Sequence, residues 1–213
     1  MSGILDLLNS DLGKTIISGV STQSGQPQEK TSNLLTMALP VLMQAMKRNA
    51  STPQGAQGLM GALNDKHDGS ILDNLGDLFG GGVNQDVMDD GGKILGHVLG
   101  GRQANVERAL GTKSGMDAGS VAQILKVAAP ILMGILGKQQ RQQQVTDQNG
   151  LEGLLGGMLK GNSPQQEQSF LESILDADGD GSIVDDVAGM VLGGGQKKKS
   201  GLAGLLGGLF GKK

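Results

Sequence analysis

The 213-residue chain contains no cysteine, tryptophan or tyrosine, and its only aromatic residues are three phenylalanines. The absence of cysteine excludes disulfide bonds, thiol catalysis and thiolate metal sites. Aromatic side chains normally supply much of the buried area of a core, so this core must be built from aliphatic residues and methionine. Nucleic acid is not expected as a partner, because Trp and Tyr platforms for base stacking are missing.

The sequence also lacks a recognisable signal and a long apolar run. Its first eight residues carry Asp6 and no basic residue, unlike a secretory signal. The longest apolar run, at 127–136, is shorter than the roughly 20 residues that span a membrane. We therefore predict a cytoplasmic protein.

Charge is unevenly distributed along the chain. The formal net charge is −3, yet residues 193–213 carry five lysines and no acidic residue. An acidic body with a basic tail is the one clear electrostatic asymmetry.

The chain contains an internal duplication. The tetrapeptide TQSG at 22–25 returns as TKSG at 112–115, and ALPVLM at 38–43 returns as AAPILM at 128–133. Later, DGSILD at 68–73 returns as DGSIVD at 180–185. These copies predict a first helical repeat at 1–90, a second at 91–192 with an insertion at about 138–161, and a linker and tail at 193–213.

Apolar residues recur at helical spacing, and no convincing strand alternation appears. The fold class predicted is all-α, with short helices, glycine-rich connections and two homologous halves. Pro40 and Pro130 occupy the same place in the longest helix of each half, where a kink or a break is expected. The 38 glycines lie largely between apolar helical stretches.

An acidic loop in the second half resembles the opening of an EF-hand calcium loop. It offers oxygen ligands at alternate positions, followed by glycine and an apolar residue. The candidate calcium ligands are Asp176, Asp178, Asp180 and Ser182. The final position, which should carry a bidentate carboxylate, is Val187.

The duplicate supplies a simpler interpretation of this loop. The first copy has Lys66 where a ligand should stand, but it keeps the Asp-Gly-Ser turn. The shared Ser-x-x-Asp spacing, Ser70 with Asp73, predicts a capping box at the start of a helix. A structural turn is therefore favoured, with calcium as the alternative. The two histidines, His67 and His97, show no metal-ligand spacing and predict solvated or core-edge roles.

The C-terminal tail has an apolar face flanked by lysines, which is typical of an interfacial membrane helix. The candidate interaction residues are Leu202, Leu205, Leu206, Leu209 and Phe210. A near-copy of this segment at 150–159 has little flanking charge. Docking on the protein itself or on a partner is therefore favoured, and membrane contact is the alternative.

Together, the TxSG turn, the helix containing AxPxLM and the HDGSILD motif at 67–73 make this chain similar to the bacterial domain of unknown function 937 family and to YidB-like proteins. The resemblance covers most of residues 1–192. It implies an all-helical fold, with no established activity and no catalytic residues to carry over.

The function expected from the sequence is a non-enzymatic helical scaffold or protein-interaction module that self-associates or binds a protein partner. No cofactor is expected. The alternatives are a calcium-binding protein that uses the loop at 176–182, and a peripheral membrane protein that attaches through residues 201–213.

Overall fold

The computed structural model describes residues 3–159, and every regular element in this range is helical. A short 3₁₀ turn covers Gly100–Arg102. The helices are α1 (Ile4–Asn9), α2 (Asp11–Ser24), α3 (Gln28–Ala50), α4 (Pro53–Asp65), α5 (Ser70–Asp73), α6 (Leu75–Gly80), α7 (Gln85–Leu99), α8 (Gln103–Ser114), α9 (Ala118–Gln142) and α10 (Gln148–Leu159). The prediction of an all-α fold is confirmed.

The two repeated turns end their helices in the same way. Gly25 closes α2 and Gly115 closes α8, with φ values of +64° and +66°. In both helices the N–H of this glycine bonds back to a carbonyl of the last turn. Glycine tolerates the left-handed conformation because it has no Cβ atom. The TxSG repeat therefore encodes one helix-ending geometry twice.

The long helices that follow start at different kinds of residue, and both continue through a proline. Pro27 is the N-cap residue of α3, and Asp117 caps α9 by accepting a hydrogen bond from the Ser120 N–H. Pro40 and Pro130 are buried inside α3 and α9, and neither interrupts its helix. The prediction of a break at these prolines is therefore wrong. Packing of both helices in the core stabilises them across the missing backbone bond.

One aliphatic core joins the elements of both halves. α3 and α9 contact each other, and α9 also contacts α2, α4, α5, α7 and α8. Gln26 on the first half donates from Nε2 to Ser120 Oγ at 3.1 Å, and Lys30 donates to the carbonyl of Gly115 at 3.1 Å. The elements of one half therefore pack on those of the other. The boundary predicted at residue 90 lies inside α7.

α9 is also the one helix of residues 3–159 that is long and apolar enough to cross a membrane. The uninterrupted apolar run at 127–136 within it is shorter than a membrane span. Most of the qualifying stretch is buried by the surrounding helices, as is usual for the central helix of a folded core. Length and composition are therefore weak evidence for a membrane span here.

Candidate functional site

A cleft of about 650 Å³ lies between α3, α4 and α7, and Met133 of α9 also lines it. We call it the main cleft. Its volume lies in the usual range of small-molecule sites, about 300–1,000 Å³. Most of its surface is apolar. The apolar residues lining it are Met46, Leu59, Ala62, Ile94, Val98 and Met133.

The wall formed by α4 follows from how this helix starts. Thr52 Oγ1 accepts a hydrogen bond from the Gly55 N–H at 3.1 Å, and Pro53 occupies the first turn. A Cβ atom on Gly55 would collide with the carbonyl of Asn49, so glycine lets α4 approach the end of α3. One turn later, a Cβ atom on Gly58 would meet nothing within 4 Å. The absence of a side chain at Gly58 therefore leaves part of the cleft open.

Asn49 of α3 holds the opposite wall of the cleft, which α7 forms. Its side-chain amide donates to the carbonyls of His97 and Val98 at 3.1 and 3.2 Å, near the C-terminal end of α7. The last turns of a helix leave carbonyls without intrahelical partners, and Asn49 satisfies two carbonyls in this region. This connection holds α3 and α7 at the distance that defines the cleft.

A charged cluster lies at one end of the main cleft. Lys66 Nζ lies 2.5 Å from Asp90 Oδ1, and His67 Nε2 lies 3.6 Å from Asp90 Oδ2. His67 is 7% exposed. Burial lowers its pKa below the usual value, and the nearby Lys66 lowers it further, while Asp90 acts in the opposite direction. Asp90 thus joins α7 to the end of α4.

A smaller cavity of about 180 Å³ adjoins the main cleft, and we call it the arginine pocket. It shares Arg48, Asn49, His97 and Val98 with the main cleft. Its surface is mainly polar, and Arg102 of the 3₁₀ turn also lines it. Gly100, with φ +55°, turns the chain from α7 into this 3₁₀ turn. The two cavities therefore differ in polarity and meet at these four shared residues.

The Asp-Gly-Ser turn lies outside the main cleft, and its cap differs from the prediction. Asp68 Oδ1 accepts a hydrogen bond from the Ser70 N–H at 3.0 Å, and Asp68 Oδ2 pairs with Arg141 of α9 at 3.0 Å. The Ser70 N–H and the Arg141 guanidinium hold the pKa of Asp68 well below its usual range. The predicted Ser70–Asp73 capping box is wrong, because Ser70 lies inside α5 and the N-cap residue of this helix is Gly69.

The predicted site residues lie outside residues 3–159. This applies to the calcium ligands Asp176, Asp178, Asp180 and Ser182, and to the tail residues Leu202, Leu205, Leu206, Leu209 and Phe210. Both sets remain predictions. Within the described range, no group of three or more His, Asp or Glu is arranged to hold a metal ion. In the first copy of the loop, Lys66 is paired with Asp90. A positively charged side chain therefore occupies the position where a calcium loop needs an oxygen ligand.

The near-copy of the tail does lie in the described range, where it forms most of α10. This helix buries Leu151, Leu154, Leu155 and Met158, and it packs mainly on α3 and α4. Gln148 Nε2 also donates to the carbonyl of Ala50 at 3.1 Å. In α10, the GLxGLLGG pattern therefore serves core packing.

Sequence reasoning missed both cavities. Their residues come from four separate segments, and the helix that forms much of one wall, α7, is not among the sequence predictions. A signal was present, since Val87, Ile94 and Leu95 lie on one face of a strongly amphipathic segment. The separation between α3 and α7, which creates the space, has no counterpart in the sequence pattern.

The geometry defines an all-helical protein in which two related halves share a core and frame an apolar cleft. The chain belongs to a family described as bacterial protein of unknown function (DUF937), whose model matches residues 6–139 and 142–213. The match in two segments is consistent with two halves, although the segments meet near the end of α9 rather than at residue 90. Comparisons with curated proteins and with solved structures gave no match.

Proposed function

We propose that this protein is a non-enzymatic helical interaction module, and that the main cleft binds an apolar group of its ligand or partner. The observation that carries the proposal is the combination of volume and lining. A space of about 650 Å³ has a mainly apolar lining, and apolar surface is more stable in contact with another apolar group than with water.

The polar groups around the main cleft support a binding role. Asp90 is engaged by Lys66 and His67, and the Asn49 amide is engaged by two carbonyls of α7. These groups hold helices together. In that role they shape a cavity, and we assign none of them to proton transfer or nucleophilic attack.

Uptake of an uncharged solvatochromic dye, Nile red, tests the proposal. The chain has no Trp or Tyr, so the dye signal is free of protein emission from these residues. Gly58→Leu should fill the cleft, because its new side chain starts in open space on the cleft wall. Gly61→Leu is the matched control, since Gly61 lies on the same helix, also in open space, and does not line the cleft.

We expect wild type and Gly61→Leu to bind the dye with the same affinity. Gly58→Leu should lose most of the dye binding. Both variants replace glycine within α4, so both should gain helix stability, and circular dichroism verifies folding. Equal dye binding by all three proteins, or no binding by wild type, would overturn the proposed use of the cleft.

Self-association through residues 201–210 is a second candidate function. It is favoured by α10, in which the same pattern, GLxGLLGG, buries its leucines against neighbouring helices. We infer that the tail is a packing segment for the protein itself or for a partner. Membrane contact through the flanking lysines is the competing outcome.

Light scattering on the full chain and on a 1–196 chain tests this candidate, with liposome co-sedimentation of the same proteins. A larger oligomer that requires residues 197–213, with equal pelleting of the two proteins, supports self-association. If both proteins are monomers, the result contradicts self-association through the tail. Pelleting of the full chain alone identifies the tail as a membrane anchor instead.

A further inference from the structure

Among the residues that line the main cleft, His67 is the one ionisable side chain that is buried. It lies in the turn after α4, where its backbone N–H donates to the carbonyl of Ala62 at 3.0 Å. The His67 carbonyl lies where Gly137 of α9 would carry a Cβ atom. Backbone contacts with α4 and α9 therefore hold this histidine in the wall of the cleft.

Two neighbouring charges act on the imidazole of His67 in opposite directions. Asp90 of α7, whose Oδ2 lies 3.6 Å from Nε2, favours the protonated form, and Lys66 at the end of α4 opposes it. Burial outweighs Asp90 and lowers the pKa of His67, so the cleft wall favours the neutral imidazole. The other charged or titratable residues near the imidazole are Arg48, Lys93 and His97, which line the cleft, and Lys138 and Arg141 of α9, which pair with Asp73 and Asp68.

An apolar group bound in the main cleft would displace water from the cleft face of His67. Loss of water disfavours a charged imidazole far more than a neutral one. Binding should therefore lower the pKa of His67 further. Because coupling between two binding events is reciprocal, protonation of His67 should weaken the binding of the apolar group by the same factor.

We propose that His67 makes the main cleft a pH-dependent site, which holds an apolar group while the imidazole is neutral and releases it when the imidazole is protonated. This inference rests on the proposed binding role of the main cleft and adds its regulation. The free protein takes up the proton more readily than the complex. Affinity is therefore complete above the pKa of His67 in the free protein and falls as the pH drops through it.

Titration of Nile red between pH 7.5 and pH 5 tests the inference with a probe that stays uncharged over this range. We expect wild type to bind the dye about threefold or more weakly at pH 5 than at pH 7.5, as part of a coupling of about 1–3 kcal/mol. His67→Gln should bind equally well at both pH values. His97→Gln is the matched control, because His97 lines the same cleft but is exposed, and it should keep the pH dependence. Circular dichroism at each pH verifies that the proteins remain folded.

The reciprocal effect is measured on wild type, so it does not depend on the folding of His67→Gln. The chain contains two histidines, and His97→Gln identifies which imidazole signal in a nuclear magnetic resonance spectrum belongs to His67. A pH titration of this signal gives its pKa with and without 1-octanol, a soluble uncharged probe. The alcohol should lower the pKa of His67, and an unchanged pKa would overturn the inference.

The remaining outcomes separate this inference from the proposed function. Dye binding that Gly58→Leu abolishes, but that is equally tight in wild type at pH 7.5 and pH 5, overturns the pH dependence and keeps the cleft. A pH dependence that persists in His67→Gln, or that disappears in His97→Gln, overturns the assignment to His67. If wild type binds no dye at any pH, the proposed function itself is wrong, and this inference is lost with it.

Discussion

The backbone carbonyl of Lys126 on α9 lies where Gly91 on α7 would carry a Cβ atom. The two helices therefore touch backbone to backbone at this crossing. α7 and α9 form the most extensive helix contact of residues 3–159. Because α7 is also a wall of the main cleft, this crossing positions the cleft as well as the core.

Gly91→Ala should destabilise the fold by about 1–3 kcal/mol, since a methyl group here must push α7 away from α9. Urea denaturation followed by circular dichroism measures the loss. Gly96→Ala is the control on the same helix, where a Cβ atom meets nothing within 4 Å. That change should stabilise the protein by up to about 1 kcal/mol. A destabilisation of the same size by both substitutions would show that the crossing is not the cause.

Gly25→Ala and Gly115→Ala should each lower the free energy of unfolding by about 1 kcal/mol, because alanine is strained in the left-handed conformation. No atom lies within 4 Å of either position, so the effect should come from the backbone alone. Asparagine tolerates this conformation better than alanine, and Gly25→Asn should lose less. If alanine and asparagine cost the same, the left-handed turn is not what selects glycine.

Lowering the pH from 7.5 to 5 should reduce the melting temperature through His67. Burial lowers the pKa of His67 in the folded protein below its unfolded value, about 6.5. The unfolded chain therefore binds a proton more readily than the folded chain in this window. The stabilisation is complete above pH 6.5 and is lost as the pH falls towards the folded pKa.

Thermal melts of His67→Gln and His97→Gln across this pH range test the assignment. His97 is exposed and serves as the control. The slope of melting temperature against pH should flatten in His67→Gln and persist in His97→Gln. An unchanged slope in His67→Gln would remove His67 as the source.

Asp68→Ala should lower the melting temperature more than Asp68→Asn. The asparagine carbonyl still accepts from the Ser70 N–H but loses the charge opposite Arg141, whereas alanine loses both interactions. The pKa of Asp68 is lowered on folding, so the stability it provides is present above about pH 4 and is lost under stronger acid. Melts at pH 7 and pH 3 measure both effects. Equal melting temperatures for the two variants at pH 7 would contradict the role of the Ser70 bond.

Local sequence patterns predicted the elements whose causes are local. The TxSG turns at Gly25 and Gly115 end two helices, and Thr52 with Pro53 starts α4, because caps and left-handed turns depend on a few neighbouring residues. The capping box predicted for α5 is wrong, because Asp68 accepts the hydrogen bond from the Ser70 N–H. Asp68 is itself held by Arg141, 73 residues away in the chain. The break predicted at Pro40 and Pro130 is wrong for a similar reason, since tertiary packing keeps α3 and α9 continuous.

By itself, the sequence determined an all-helical fold, an aliphatic core, two related halves and membership of the family. The tertiary structure alone decided that the halves share one core, that Lys66 and His67 meet Asp90, and that α3, α4 and α7 stand apart around a cleft. Helix periods and caps are short-range properties. The space between helices depends on close approaches such as Gly91 to Lys126 and Gly55 to Asn49, which arise when distant segments pack.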